Sequence, residues 1–237
     1  MPITQPVPVF NRLITALPDL ERQRFLASCE PVTLSFGEVL ATPDAPLLHV
    51  YFPTQSFICQ TTTINGASRL GVLLAGDEGM LGISLILGLN LSNLHASVLG
   101  PGQALRMETR QFCRELDLSV AWHRLLQRYL YVMMGQLAQT ATCNRFHLLE
   151  ARLARWLLMA QDRAHSDQFH ATHEFLARTL GVRRVGITKA ASMLQNRKLI
   201  SYHRGDIKIL DRYGLEASAC SCFCSDNSLY TQIMQSA

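Results

Sequence analysis

No stretch of the 237-residue sequence approaches the roughly 18 uninterrupted apolar residues of a membrane-spanning helix, so a helical membrane protein is not expected. The first residues, Met1 to Asn11, carry Pro2, Pro6 and Pro8 and no basic segment. They lack the form of a secretory signal, and a cytoplasmic location is expected. Disulfide scaffolding is not expected either. The seven cysteines (Cys29, Cys59, Cys113, Cys143, Cys220, Cys222 and Cys224) are odd in number and mostly scattered, which reads as free thiols. Enzyme signatures are missing too: there is no phosphate-binding P-loop, no Gly-x-Ser-x-Gly and no His-Glu-x-x-His. A nucleotide-acting enzyme is therefore a minor alternative, and no cofactor is implied. At 48% hydrophobic and 17% charged residues the chain is an ordinary globular protein of one to two domains.

Acidic residues are scarce where basic ones gather. Residues 1–144 hold 9 Lys and Arg against 10 Asp and Glu, whereas residues 145–237 hold 13 against 8. From Arg178 to Lys208 there are eight cations and a single acid, Asp206. Such a concentration favours a polyanionic partner over mere solubility.

The same segment has a distinct architecture. Thr172 is an N-cap, Glu174 places negative charge in a first helical turn, and Phe175, Leu176, Thr179 and Leu180 recur at helical spacing. Gly181 ends this helix, because glycine takes a positive φ without strain. A second helix opens at Arg183 or Arg184. Its apolar line is Ile187, Ala190, Ala191 and Leu194, and small Ala177 sits at the expected crossing. The opposite face carries Arg184, Thr188 and Ser192, flanked by Val185 and Lys189. A short helix with a buried apolar stripe, cations near its start and small polar groups suits a DNA major groove. A plain helical hairpin with a solvated charged face is the alternative. Next comes a wing, Leu199 to Leu210. Ile200, Tyr202, Ile207 and Ile209 alternate with polar residues, and His203-Arg204-Gly205-Asp206 supplies the turn. The spacing over 172–197 and the hairpin after it predict a winged helix-turn-helix.

Residues 172–210 resemble the DNA-binding domain of the Crp/Fnr family of bacterial transcription regulators. The run from Leu194 through Leu199-Ile200-Ser201 into a wing hairpin is typical of that family. In its best-known members a Glu-x-x-x-Arg pattern, preceded by Arg, contacts bases. Arg184 keeps the preceding position and Lys189 stands for the later Arg, but Val185 replaces the Glu. The expected base-reading residues are Arg183, Arg184, Val185, Thr188 and Lys189. Thr172, His173, Ser192, His203, Arg204 and Lys208 are expected on the backbone. Expected partners are operator double-stranded DNA, a second copy of the chain, and RNA polymerase.

Toward the N-terminus, Asn11 to Ser28 reads as helical, with Leu13, Leu17, Leu20 and Phe25 apolar. Short alternating runs follow: Val32–Ser35, Leu48–Phe52, Phe57–Thr63, Ser68–Leu74, Ala96–Leu99 and Ala104–Met107. Asn65-Gly66 signals a tight hairpin. Alternation alone shows a barrel-like antiparallel region; the resemblance implies a cyclic-nucleotide-binding-like β-roll. Relatives that bind cyclic AMP hold its ribose with a Gly-Glu pair and its phosphate with an Arg-Ser pair. Here the counterparts are Gly82-Ile83 and Asn93-Leu94-His95, so neither carboxylate nor guanidinium is evident. A cyclic phosphate left unpaired there would be costly. Cyclic AMP is therefore not expected as effector; Glu78, Gly82, Ile83 and His95 remain candidates for some effector pocket.

A long helix is predicted over Gln111 to Arg145, with Leu126, Leu130, Met133, Leu137 and Thr140 forming a heptad seam for a dimer. A break is expected near Cys143-Asn144-Arg145, then a helix over Phe146 to Ala164 with Leu149, Leu153, Trp156, Leu157 and Ala160 inward. The fold class is α+β: a β-roll sensor over 1–112, a dimerisation helix over 113–144, and a winged helix-turn-helix domain over 145–237. After Leu215 the chain reads as Cys-Ser-Cys-Phe-Cys and a polar tail. The spacing of Cys220, Cys222 and Cys224 is not that of a zinc ribbon, no fourth ligand is evident, and no metal is expected. A thiol- or metal-sensing regulator built on these three cysteines is the main alternative.

Overall fold

The computed structural model describes residues 11–64 and 68–235; the hairpin turn expected at Asn65-Gly66 lies outside them. Asn11 is the first of the described residues. Its side-chain Oδ1 accepts from Leu13 N–H to cap α1 (Arg12–Thr15), and its side-chain Nδ2 donates to the Pro53 and Gly79 carbonyls. A buried amide satisfied in this way pins the first helix to the sheets behind it.

The alternating runs form the strands expected of them: β1 (Glu30–Leu34), β3 (His49–Pro53), β4 (Phe57–Ile64), β5 (Ser68–Ala75), β6 (His95–Gly100) and β7 (Gly102–Glu108). A further strand, β2 (Val39–Ala41), is too short to show alternation. One sheet runs β1-β7-β3 and the other β2-β6-β4-β5, all pairs antiparallel. Leu34, Val50, Phe52, Ile58, Leu73, Val98 and Met107 fill the space between them. Helix α2 (Asp19–Ala27) closes one end. There Phe25 meets Phe52 edge-on at 5.4 Å and Trp122 at 5.0 Å. Leu20, expected on the apolar side of this region, is 82% exposed instead.

The long helix is two helices. Helix α3 (Thr109–Leu118) stops at Ser119, whose backbone is extended and whose hydroxyl accepts from Trp122 N–H at 2.9 Å. That cap starts α4 (Val120–Phe146). The break into α5 (Leu149–Ala164) falls at His147-Leu148, slightly beyond the expected Cys143-Asn144-Arg145.

The expected seam is corrected by this packing. Leu126 and Met133 face their own β-roll, at 0% and 6% exposure, and cannot reach a second chain. Leu130 and Thr140 are half-buried and Leu137 is exposed. The outward apolar stripe is turned by about one residue: Leu130, Met134, Leu137 and Ala141, with Tyr131 and Ala138 beside it. Another side of α4 is taken by a helix where the sequence suggests only a polar tail. After α8 (Arg212–Ser218), α9 (Cys222–Met234) runs along α4, with Leu229 filling the space that glycine leaves at Gly135. Cys222, Phe223 and Asp226 are buried, and Leu229, Tyr230, Ile233 and Met234 half-buried, so the inward face has helical period.

Candidate nucleic-acid interface

Helix α6 (His173–Leu180) is capped by Thr172, which accepts from Phe175 N–H at 3.1 Å, and ends at Gly181 with φ +65°. Helix α7 (Arg184–Asn196) follows after three residues, with Arg183 at its N-cap. Ile187, Ala190, Ala191 and Leu194 are buried, against Leu176, Ala177 and Leu180 of α6 and Leu153 and Leu157 of α5. Burying this stripe turns the opposite face to solvent. Arg183, Arg184, Val185, Thr188, Lys189 and Ser192 are all exposed there, on adjoining turns.

The wing is β9 (Ile200–His203) and β10 (Asp206–Ile209), joined by a turn with positive φ at both Arg204 (+50°) and Gly205 (+97°). β10 also pairs with β8 (Gln168–His170), a strand of three residues where the sequence suggests a loop. Ile207 and Ile209 point inward, so Lys208 points out; His203 and Arg204 stand exposed at the tip. Among the basic residues, Arg178 pairs with Glu174 and Arg197 with Glu150. Arg183, Arg184, Lys189, Arg204 and Lys208 have no ion pair among the described residues, and their charge is free for an anion.

His173 departs from the expected backbone contact. Its ring stacks on Tyr202 at 4.0 Å, Nδ1 lies 3.1 Å from Thr188 Oγ1, and Nε2 is buried. Burial, and then the neighbouring Arg184, push its pKa down. His173 therefore braces α6, α7 and the wing against one another. Thr188 is also held, since its hydroxyl donates to Arg184 carbonyl at 3.2 Å; Ser192 donates likewise to Thr188 at 2.8 Å.

The expected effector residues separate into two groups. Gly82 and Ile83 line a cavity of about 640 Å³ between the β-roll and α4. Its wall is mostly apolar, with Leu73, Leu89, Leu94, Leu130 and Met134, and Asp44 is the charged residue among those lining it. No cation lines it among the described residues. Glu78 faces elsewhere: it pairs with Arg163 of α5 at 2.6 Å, both partners nearly buried. His95 is buried on β6, opposite Thr61 of β4, and is not on the cavity wall.

The C-terminal cysteines also sort differently from expectation. Cys220 and Cys222 are buried and Cys224 is exposed, because the chain bends between α8 and α9 and does not continue as one helix. Cys220 Sγ lies 3.5 Å from Cys143 Sγ. Their hydrogen bond holds the Cys143 thiol down and pushes Cys220 up. Burial pushes Cys29 and Cys59 up to about 12, which makes them poor nucleophiles at neutral pH.

Among the described residues no helix is long and apolar enough to cross a membrane. No curated protein matches the sequence. Residues 151–218 match the Crp-like helix-turn-helix domain, a span that runs from the first turn of α5 to the end of α8. Solved structures similar to the chain include FixK2 from Bradyrhizobium japonicum (TM-score 0.68, 13% identity, covering 81% of this chain and 98% of that one). A CRP/FNR-family transcriptional regulator from Thermus thermophilus is similar over 80% of this chain and 98% of its own, with TM-score 0.62 and 19% identity. The c-di-GMP-responsive global regulator CLP from Xanthomonas campestris is similar at TM-score 0.64 and 13% identity, over 81% and 99%. Residues 151–218 are thus a Crp-like helix-turn-helix domain, and over about four fifths of its length the chain has the fold of the Crp/Fnr transcription regulators.

Proposed function

We propose that this protein is a homodimeric, sequence-specific DNA-binding regulator of transcription, acting in the cytoplasm and with RNA polymerase as a further partner, and not an enzyme. The observation that carries the reading is the outer face of α7, where Arg183, Arg184, Val185, Thr188 and Lys189 stand clear of a buried stripe and beside a basic wing. Arg184 and Lys189 suit guanine, whose O6 and N7 are both acceptors. Val185 has no acceptor for cytosine and can touch only a thymine methyl, so the half-site differs there from one read by a carboxylate. Thr172, Ser192, His203, Arg204 and Lys208 flank the groove and suit phosphates. Two symmetric half-sites then lie about one helical turn, ~34 Å, apart.

A panel of single-base operator variants at two salt concentrations tests this. Arg184→Ala is expected to lose roughly 1–3 kcal/mol and to relax preference at one base pair. Arg204→Ala is expected to weaken all sequences alike and to reduce the salt slope by about one. Uniform weakening by Arg184→Ala, with specificity intact, would mean that another face of α7 enters the groove.

The effector, in this reading, is not cyclic AMP. The cavity wall offers a phosphate no cation among its described residues, and Asp44 adds the wrong sign. Titration calorimetry with cyclic AMP should give no binding at micromolar concentration. A micromolar dissociation constant would overturn the assignment. An apolar small molecule suits the wall better, since Leu and Met side chains supply most of it.

A further inference from the structure

Four side chains with metal-binding atoms converge where α4 ends, from stretches some 75 residues apart. Cys143 lies on the last turn of α4 and His147 is its C-cap; Cys220 follows α8 and Cys222 opens α9. Cys143 Sγ is 3.5 Å from Cys220 Sγ, and Cys222 Sγ is 3.4 Å from His147 Nδ1. All four donor atoms lie within 4.8 Å of one another. A tetrahedral zinc with Zn–S of ~2.3 Å and Zn–N of ~2.0 Å sets its sulfurs ~3.8 Å apart and sulfur and nitrogen ~3.5 Å apart. The Cys143–Cys220 and Cys222–His147 edges fall close to those lengths, and the other four are no longer than 4.8 Å. A Cys143–Cys220 disulfide would leave Cys222 and His147 without a reason to meet there.

We propose that Cys143, His147, Cys220 and Cys222 form a structural Cys3His zinc site that clamps the end of α4 to the segment joining α8 and α9. Thiolates and imidazole are the donors that favour zinc over magnesium or calcium. The three cysteines are buried, which matches a closed four-ligand site with no position for substrate. Supporting groups surround the ligands. Gln139 Nε2 donates to Cys222 Sγ at 2.8 Å, as residues behind a metal ligand do. Zinc with three thiolates and a neutral imidazole carries one net negative charge. Arg155, buried, faces Cys143, and Arg152 lies near both Cys143 and Cys220. Cys224 takes no part, being exposed on the far side of α9.

The test uses the full chain, purified anaerobically without chelator. Metal analysis is expected to find one zinc per chain, retained in Cys224→Ser and lost in Cys222→Ser and in His147→Ala. The reduced, zinc-stripped wild type should take up one cobalt(II), with the ligand-field bands of a tetrahedral site and charge-transfer intensity of three thiolates, and zinc should displace it. The spectrum counts ligands without relying on any variant that fails to fold. No cobalt uptake by reduced wild type, uptake unchanged by Cys222→Ser, or a spectrum lacking thiolate charge transfer would overturn the proposal. None of these readouts depends on DNA binding.

Discussion

Aspartate at both Met134 and Leu137 is expected to convert the protein to monomers. On α4 the residues Leu130, Met134, Leu137 and Ala141 step by 4, 3 and 4 along one exposed side, with Tyr131 and Ala138 adjoining; Met134 is 60% exposed in the single chain and Tyr131 58%. An apolar stripe at heptad spacing pairs with its own copy. In a symmetric dimer each substitution occurs twice, so four carboxylates would be buried without partners. At about 1 kcal/mol or more for each of the four, the dimer dissociation constant should rise by more than about 10³-fold. Sedimentation velocity across micromolar concentrations reads this directly. Met134 and Leu137 also line the cavity, so Ala138→Asp is the cleaner single change: it is exposed beside the stripe but is not on the cavity wall. A wild type that sediments as monomer, or a double variant that remains dimeric, would sink the idea. Leu126→Asp is a contrasting control. Leu126 is fully buried in its own roll, so that change should unfold the chain and not merely dissociate the dimer.

That contrast shows why the seam was only half legible in the sequence. Leu126, Leu130, Met133, Leu137 and Thr140 do recur every 3 or 4 residues, but a helix packed on its own sheet has the same period as one packed on a partner. Which line faces which neighbour depends on where α9 and the 3₁₀ turn at Ile83–Leu87 lie, and sequence spacing does not carry that. The split at Ser119 was hidden for a similar reason. Apolar residues recur at helical spacing on both sides of it, and only the observed capping bond to Trp122 N–H distinguishes a restart from a continuation.

The helix-turn-helix was legible because its determinants are local. Thr172, Gly181, and the stripe of Ile187, Ala190, Ala191 and Leu194 lie within 23 residues and dictate cap, turn and buried face. The six longer strands were legible by alternation, while β2 and β8, at three residues each, are too short to alternate visibly. His173 looks like a DNA contact in the sequence because the stacking of its ring on Tyr202 joins residues 29 positions apart. The cysteine cluster depends on longer separations still. From spacing alone Cys220, Cys222 and Cys224 belong together, but the bend before α9 discards Cys224 and brings in Cys143 and His147 from α4. One signal in the tail was readable: Phe223, Asp226, Leu229, Tyr230 and Ile233 have helical spacing, with a carboxylate in the middle of the inward face.

That carboxylate carries the second large effect. Asp226→Ala is expected to destabilise the protein by about 3–5 kcal/mol, the cost of breaking a buried ion pair from one side. Asp226 and Arg155 meet at 2.5 Å with side chains only 5% and 8% exposed, and they join α9 to α5. Burial pushes the Asp226 carboxyl up, against the opposing pull of Arg155. Removing Asp226 leaves the guanidinium in the same dry site without its carboxylate, with only the Cys143 sulfur still beside it, and the loss is a large part of a typical 5–15 kcal/mol. The damage is expected to come from the orphaned charge more than from the lost attraction. The double variant Arg155→Met with Asp226→Leu should therefore recover much of the stability, because apolar groups of similar volume replace a buried pair at little cost. Urea unfolding of the full chain, followed by tryptophan fluorescence, measures both; Trp122 and Trp156 sit in the two cores that α4 and α5 serve. A loss below about 1 kcal/mol for Asp226→Ala would put the pair in the range of exposed surface bridges. It would mean that α9 opens readily from α5 and that water reaches Arg155.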